Sequence, residues 1–405
     1  MQGALAGIRV LDLTRILAGP TCTQLLADLG ADVIKIERPG SGDDTRKWGP
    51  PYVRDRTGKD TSESAYYLCA NRNKRSLTLD IAHPEGQAVL RRVAAGSDIL
   101  VENFKAGGLA RYGLGYDDLK DDMPGLIYCS ITGFGQTGPY AKRPGYDFLA
   151  QAMGGIMSIT GPAAGDPHKV GVGIADVMCG MYAVAAILAA LHHREKTGRG
   201  QMIDLSLLDS QVAWLINAGT MYLTSGEEPA RLGNGHPNIV PYDVFPTADG
   251  FIVLAVGNDG QYGRFCEFAG VPELAGDERY ATNDSRVRNR DNLMPKLRQA
   301  TTRHPSRYWL EGLAGMGVPC GPVNTLRQVF DDPQIKHREM TVSLSHPFAG
   351  DGQVRLIGNP IKMSVTPVEY HRAPPTLGQH TDEVLMEMLD MPDHERKKLR
   401  SQGVI

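Results

Sequence analysis

The 405-residue chain is short of cysteine, of net charge and of long apolar runs, and each shortage removes a class of protein. Cys22, Cys69, Cys129, Cys179, Cys266 and Cys320 are scattered and form no Cys-x-x-Cys pair, which argues for free thiols in a reducing compartment. The net charge of −3 gives no global basic field to hold nucleic acid or an anionic membrane. The longest apolar stretch, Val177 to Leu191, is too short to span a bilayer and contains Gly180 and Tyr182. Near the N-terminus Asp12 and Arg15 interrupt the apolar residues, unlike a secretory or transit signal, so a cytoplasmic protein without a membrane partner is expected. Some motifs are also missing. The first strand-to-helix turn, Thr14–Pro20, lacks Gly-x-Gly-x-x-Gly, which disfavours a dinucleotide there; without Gly-x-Ser-x-Gly there is no serine elbow, and without His-Glu-x-x-His or a Cys/His cluster no metal site is expected.

What is present reads as α/β. Gly7 to Leu13 is a β-branched run, Pro20 to Leu29 has helical spacing ending at Gly30, and Ala31 to Glu37 is a second strand. This β-α-β unit favours a parallel sheet with right-handed crossovers. A second unit follows in Ser76–Asp80, Pro84–Ala95 and Ser97–Glu102, then a strand at Leu126–Ile131. The long apolar helix Val177–His193 leads through a turn to Met202–Leu207. Residues 225–245, rich in Gly, Pro and polar groups, look like a boundary. We therefore expect a large Rossmann-like domain over 1–220, a smaller α+β domain over 225–325, and a return to the large domain over 330–405.

Cations gather after the strand ends. Arg15 follows the first strand and Arg38 the second, Arg72, Lys74 and Arg75 lie in the turn Asn71–Arg75, and Lys105 and Arg111 follow Glu102. In a parallel sheet such loops converge at the carboxyl edge, where they would suit a phosphorylated, nucleotide-like polyanion; otherwise they form a solvated basic surface. Asp176, in Gly-Val-Gly-Ile-Ala-Asp before the long helix, has two readings. It is either an N-cap or a carboxylate held at a helix N-terminus with small neighbours that leave room for a reactant.

Taken together, several stretches resemble the class III (CaiB/BaiF-type) CoA-transferases. They include Val10–Arg15, Leu29–Gly40, Asn71–Ser76, Val101–Phe104, Thr132–Pro139, Gly145–Asp147, Gly173–Asp176, Lys196–Gln201 and Gly378–Glu383. The resemblance implies that Asp176 is the nucleophile, that CoA is a substrate rather than a cofactor, and that two ring-like subunits interlock as a homodimer. It implies CoA contacts from Arg15, Arg38, Asn71, Arg72, Asn73, Lys74, Arg75, Asn103, Phe104, Lys105 and Arg111. Glycines near Gly257–Gly260 would form a mobile shield over the site, although their spacing alone suggests only a turn. The related α-methylacyl-CoA racemases carry a histidine where this chain has Tyr146 in Gly145-Tyr-Asp147, and tyrosine is a poor base at neutral pH, so proton abstraction is disfavoured. A non-catalytic CoA-binding protein is disfavoured by the intact aspartate. Gly42–Arg46, Trp48–Pro51 and Asn238–Tyr242 are similar to the branch of the family that handles dicarboxylic acids, such as succinate–hydroxymethylglutarate CoA-transferase. Small carboxylic acids and acyl-CoA are thus the expected substrates, with Tyr146 beside them. Arg46 would grip a distal carboxylate, the alternative being a surface arginine paired with Asp43 or Asp44.

Overall fold

The computed structural model describes residues 3–405, which divide into two compact units. The first contains residues 3–156, 170–220 and 336–405, and the second residues 157–169 and 221–335. The strand and helix spacing carries no sign that 157–169 belongs with the second unit.

Six strands of the first unit form one parallel sheet: β1 (Arg9–Leu13), β2 (Asp32–Glu37), β3 (Lys74–Thr78), β4 (Ile99–Glu102), β5 (Ile127–Thr132) and β6 (Met202–Ser206). Val, Ile and Leu on both faces of β1, β2 and β4 are buried, the near-continuous apolar pattern of a sheet covered on both sides. The spatial order is β3-β2-β1-β4-β5-β6, so the chain reverses direction across the sheet between β1 and β4. Open α/β sheets bind ligands outside the carboxyl ends of the strands at such a switch point. The loops beginning at Thr14 and Asn103 therefore occupy the position where a ligand is expected.

One face is covered by α1 (Ala18–Asp28) and α4 (Ile174–Thr197), whose small residues permit close packing. A Cβ on Gly180 of α4 would come 2.6 Å from the Ala18 carbonyl oxygen of α1, so only glycine allows this approach. Helix α4 exceeds the apolar run read from the sequence, and its 24 residues are long and apolar enough to cross a membrane. Ala175, Cys179, Ala183, Ile187 and Ala190 instead lie buried against α1 and the sheet. The opposite face is covered by α2 (Pro84–Ala95) and by the chain's own end, with Val384, Leu385, Leu399 and Ile405 in the same core as Leu11, Ile34 and Leu90. The tail is also stitched to β3: His380 N–H donates to the Ser76 carbonyl (2.9 Å) and Thr78 N–H to Thr381 Oγ1 (3.0 Å).

The second unit is α+β. Its antiparallel sheet orders Cys320–Pro322, Phe251–Ala255 and Tyr242–Pro246 over a core containing Phe245, Tyr262, Phe265 and Trp309. Gly257 and Asn258 form the cap of the helix Asp259–Phe268, with Asn258 Oδ1 accepting from Gln261 N–H at 2.9 Å.

Candidate active site

Asp176 lies in the first turn of α4, three residues after the N-cap Gly173. It is not the cap. That role belongs to Asp147, which opens α3 (Asp147–Met153) and whose Oδ1 accepts the amides of Ala175 (2.8 Å) and Asp176 (3.3 Å). Gln151 Nε2 fixes the other oxygen of Asp147 at 2.7 Å. The N-terminal amides of α4 are thus satisfied from another helix, which leaves the carboxylate of Asp176 free for chemistry. It accepts no hydrogen bond from any described residue and forms no ion pair with one. Burial, reinforced by the negative charge of Asp147, pushes its carboxyl up to about 7. The neighbouring phenol of Tyr66 is pushed up to about 12 by its own burial and the nearby charges of Asp176, Cys69 and Asp147, so it stays protonated.

Asp176 opens onto a cleft of about 470 Å³ at the carboxyl ends of β1, β4 and β5. Arg15 to Ala18 form one wall, Asn103 to Lys105 with Arg111 another, and Arg143 to Tyr146 a third. Backbone geometry holds these walls in place. Ile16, a β-branched residue, sits at φ 74°, a conformation that costs about 1–3 kcal/mol unless its surroundings enforce it. They do so through Asp43, which accepts the Ile16 amide (3.2 Å) and is itself paired with the buried Lys35 at 2.9 Å. Asn103 clasps Arg15 in both directions, accepting its N–H at 3.0 Å and donating to its carbonyl at 2.7 Å. Gly133 and Gly145 touch so closely that a Cβ on Gly145 would lie 2.3 Å from the Gly133 Cα, and this crossing sets the exit of Tyr146 into the cleft.

A second cleft of about 360 Å³ adjoins the first, sharing Arg15 and Phe104. Arg38, Ser41 and the segment Leu79–Ala82 line it. Together the two clefts offer the exposed cations Arg15, Arg38, Lys105, Arg111 and Arg143 along one edge. Arg15 is tethered to Asp44 at 2.8 Å and Arg111 to the Tyr112 hydroxyl at 2.5 Å. The guanidinium of Arg143 lies 4.6 Å from the Tyr140 ring centre and has no acidic partner among the described residues.

Six of the expected site residues go elsewhere. Asn71 to Arg75 point into the core: Arg72 pairs with Asp28 (2.5 Å), Lys74 with Asp12 (3.1 Å), and Arg75 with Asp32 (2.5 Å) and Glu387 (2.6 Å). Asn71 Oδ1 accepts from Lys74 Nζ (3.0 Å), and Asn73 Nδ2 donates to Asp28 (2.9 Å). These side chains hold strands and tail together and line neither of the two clefts. The segment that reaches the second cleft begins four residues later, at Leu79. Arg46 lines neither cleft, and it is not a surface arginine. It is 5% exposed, paired with Glu37 (2.8 Å) and Glu63 (2.9 Å), and capped by the Tyr67 ring at 3.7 Å.

Sequence reasoning passed over Asp147, Tyr66, Glu102 and Arg143. For Asp147 and Arg143 a signal was available, because Arg143-Pro-Gly-Tyr-Asp147 follows the strand that ends beside β4.

The sequence profile of CoA-transferase family III matches residues 5–381. The chain belongs to CoA-transferase family III. It is 51% identical over 385 residues to the succinate–glutarate CoA-transferase of Agrobacterium fabrum, covering 95% of both chains. It is 44% identical over 401 residues to succinyl-CoA:glutarate CoA-transferase of Homo sapiens, covering 99% of this chain and 90% of the human one. A crystal structure of a CaiB/BaiF family protein from Brucella suis superposes with a TM-score of 0.85 at 46% identity, over 96% of this chain and all of that one. This member of the family is accordingly a CoA-transferase, and its fold is that of the CaiB/BaiF proteins.

Proposed function

We propose that the chain carries CoA from succinyl-CoA to a dicarboxylic acid of glutarate's class, with Asp176 as covalent nucleophile. The observation that carries this reading is the unpartnered carboxylate of Asp176, set at a helix N-terminus in a cleft edged with cations. The ionised carboxylate attacks the thioester carbonyl, forming an anhydride and expelling CoA thiolate. The thiolate then attacks the aspartyl carbonyl, giving an enzyme–CoA thioester and releasing succinate. An acceptor carboxylate attacks that thioester to form a second anhydride, and the thiolate attacks its acyl carbonyl. This yields the new acyl-CoA and restores the carboxylate of Asp176. Each acyl bond remains activated throughout, provided water is excluded.

Arg15, Arg38, Asn103, Phe104, Lys105 and Arg111 hold the CoA in this reading, and Tyr146 borders the acyl group. Arg143 takes the role first assigned to Arg46, receiving the distal carboxylate, since it shares the cleft with Asp176 and has no acid of its own. The names of the two enzymes compared above support the choice of acids. The enzyme works as a cytoplasmic homodimer with interlocked subunits. Unpartnered apolar side chains on α3 and α4, among them Phe148 (58% exposed), Met153 and Met181, support a partner surface.

The test is chemical. Incubation with succinyl-CoA and hydroxylamine should convert Asp176 alone to a hydroxamate, and Asp176→Ala should fold yet lose transfer. Robust transfer by that variant, or exchange of the α-proton of a 2-methylacyl-CoA at a comparable rate, overturns the reading.

A further inference from the structure

We propose that Glu102 is a positioning residue for CoA: its carboxylate fixes the Phe104 amide and so holds the loop that forms the shared wall of the two clefts. The proposal rests on the CoA-binding role given to those clefts above.

Glu102 ends β4 and is 5% exposed. Apart from Asp176 in the cleft, every other buried carboxylate among the described residues faces a cation. Asp12 has Lys74, Asp28 has Arg72, Asp43 has Lys35, and Glu37 and Glu63 share Arg46. Glu102 has none. A carboxylate kept from water without a counter-charge is costly and depends on hydrogen bonds alone. Two are made. Oε1 accepts the hydroxyl of Ser130 on β5, and Oε2 accepts the Phe104 amide at 2.7 Å.

Ser130 is itself held by Gln136, whose Nε2 donates to its Oγ at 2.7 Å and whose backbone N–H donates to Asp204 at 3.1 Å. A chain of contacts thus runs from β6 through the loop after β5, across β5 and β4, to Phe104. It ends at the residue that lines both clefts, next to the Asn103 that clasps Arg15. The ionisable groups facing Glu102 are Asp204 on β6 and Tyr128 and Cys129 on β5, while its neighbour on β1 is Leu13. None of them supplies a positive charge to hold it ionised. Burial pushes Glu102 up to about 7, although the Ser130 hydroxyl and the Phe104 amide pull the other way.

A protonated Glu102 has one acceptor site fewer. The amide of Phe104 is then held by a neutral carbonyl oxygen in place of a charged carboxylate, a weaker bond, and the loop is held less firmly as pH falls below about 7. The consequence is tighter CoA binding above that pH than below it.

Binding of CoA by calorimetry in an Asp176→Ala background removes both turnover and the titration of Asp176. We expect that protein to bind CoA roughly three- to tenfold more tightly at pH 8 than at pH 6, beyond what the phosphate of CoA contributes. Adding Glu102→Gln, which cannot ionise, should remove this excess while the ligand's own pH dependence remains. Ser130→Ala withdraws a hydrogen bond to the carboxylate and should move the midpoint to higher pH, so it tests the idea even where the glutamine variant folds poorly. Identical pH profiles with and without the Glu102→Gln substitution, or an unmoved midpoint in Ser130→Ala, overturn the proposal. Failure of the Asp176→Ala protein to bind CoA at any pH overturns the CoA reading of the clefts instead.

Discussion

At the scale of single residues, reactivity and stability pull against each other at Asp176. Its carboxyl titrates at about 7 in the folded chain against an ordinary 3.8, so folding favours the protonated form. The stability this site contributes is complete below about pH 4 and is lost as pH rises through about 7. Asp176→Asn removes the charge, and we expect it to raise Tm at about pH 8 with no gain at about pH 4, while abolishing transfer. In the wild type, kcat/KM should fall about tenfold per pH unit on the acid side of about 7, because the proposed nucleophile, Asp176, must be ionised. Two arginines separate binding from structure. Arg143→Met should reduce kcat/KM for glutarate by about 1.5–3 kcal/mol and leave a monocarboxylic acceptor such as butyrate nearly untouched. Arg46→Met strands two buried carboxylates, Glu37 and Glu63, and should cost about 3–5 kcal/mol in urea unfolding, with no selective loss for either kind of acid. Equal losses for glutarate and butyrate in Arg143→Met would remove it from acid recognition.

At the scale of elements, the helix that carries Asp176 is organised from outside itself. Asp147 on α3 supplies the acceptor that α4 lacks at Gly173, and its charge also lifts the carboxyl of Asp176. These two effects separate in Asp147→Asn, which keeps an amide oxygen for the N-terminal amides but removes the charge. We expect the acid limb of the pH–rate profile to move to lower pH, since a like charge no longer opposes ionisation of Asp176. An unmoved limb would mean that burial alone sets it. The loop after β1 follows the same logic. Ile16 holds a conformation unsuited to its side chain because the Lys35–Asp43 pair beneath it accepts its amide.

At the scale of the molecule, the apolar residues left uncovered on α3 and α4 are the surface on which the proposed dimer rests. Sedimentation should show a dimer that persists on dilution, because interlocked subunits separate only by partial unfolding. A folded monomer at low concentration would sink that assembly. The tail is equally part of the whole: Val384, Leu385 and Ile405 complete the core under β1 to β4.

The sequence by itself determined the alternation of strands and helices, since β-branched runs and helical spacing are local, and it marked Asp176 through the motifs shared with CoA-transferases, its local pattern alone reading equally as an N-cap. The groups at Arg15, Arg38, Asn103 and Arg111 were legible for the same reason, as loops after consecutive parallel strands must meet at one edge. Only the tertiary structure decided which cations remain free at that edge. Arg46 and Asn71 to Arg75 look no different from Arg38 in the sequence, yet their acids come from Asp28, Asp32, Glu37 and Glu63, brought close by sheet pairing and the returning tail. A buried charge is defined by its partner, and partners distant in the chain are chosen by packing. The same holds for Asp147, which caps a helix 28 residues away, and for Glu102, whose distinction is the cation it does not have.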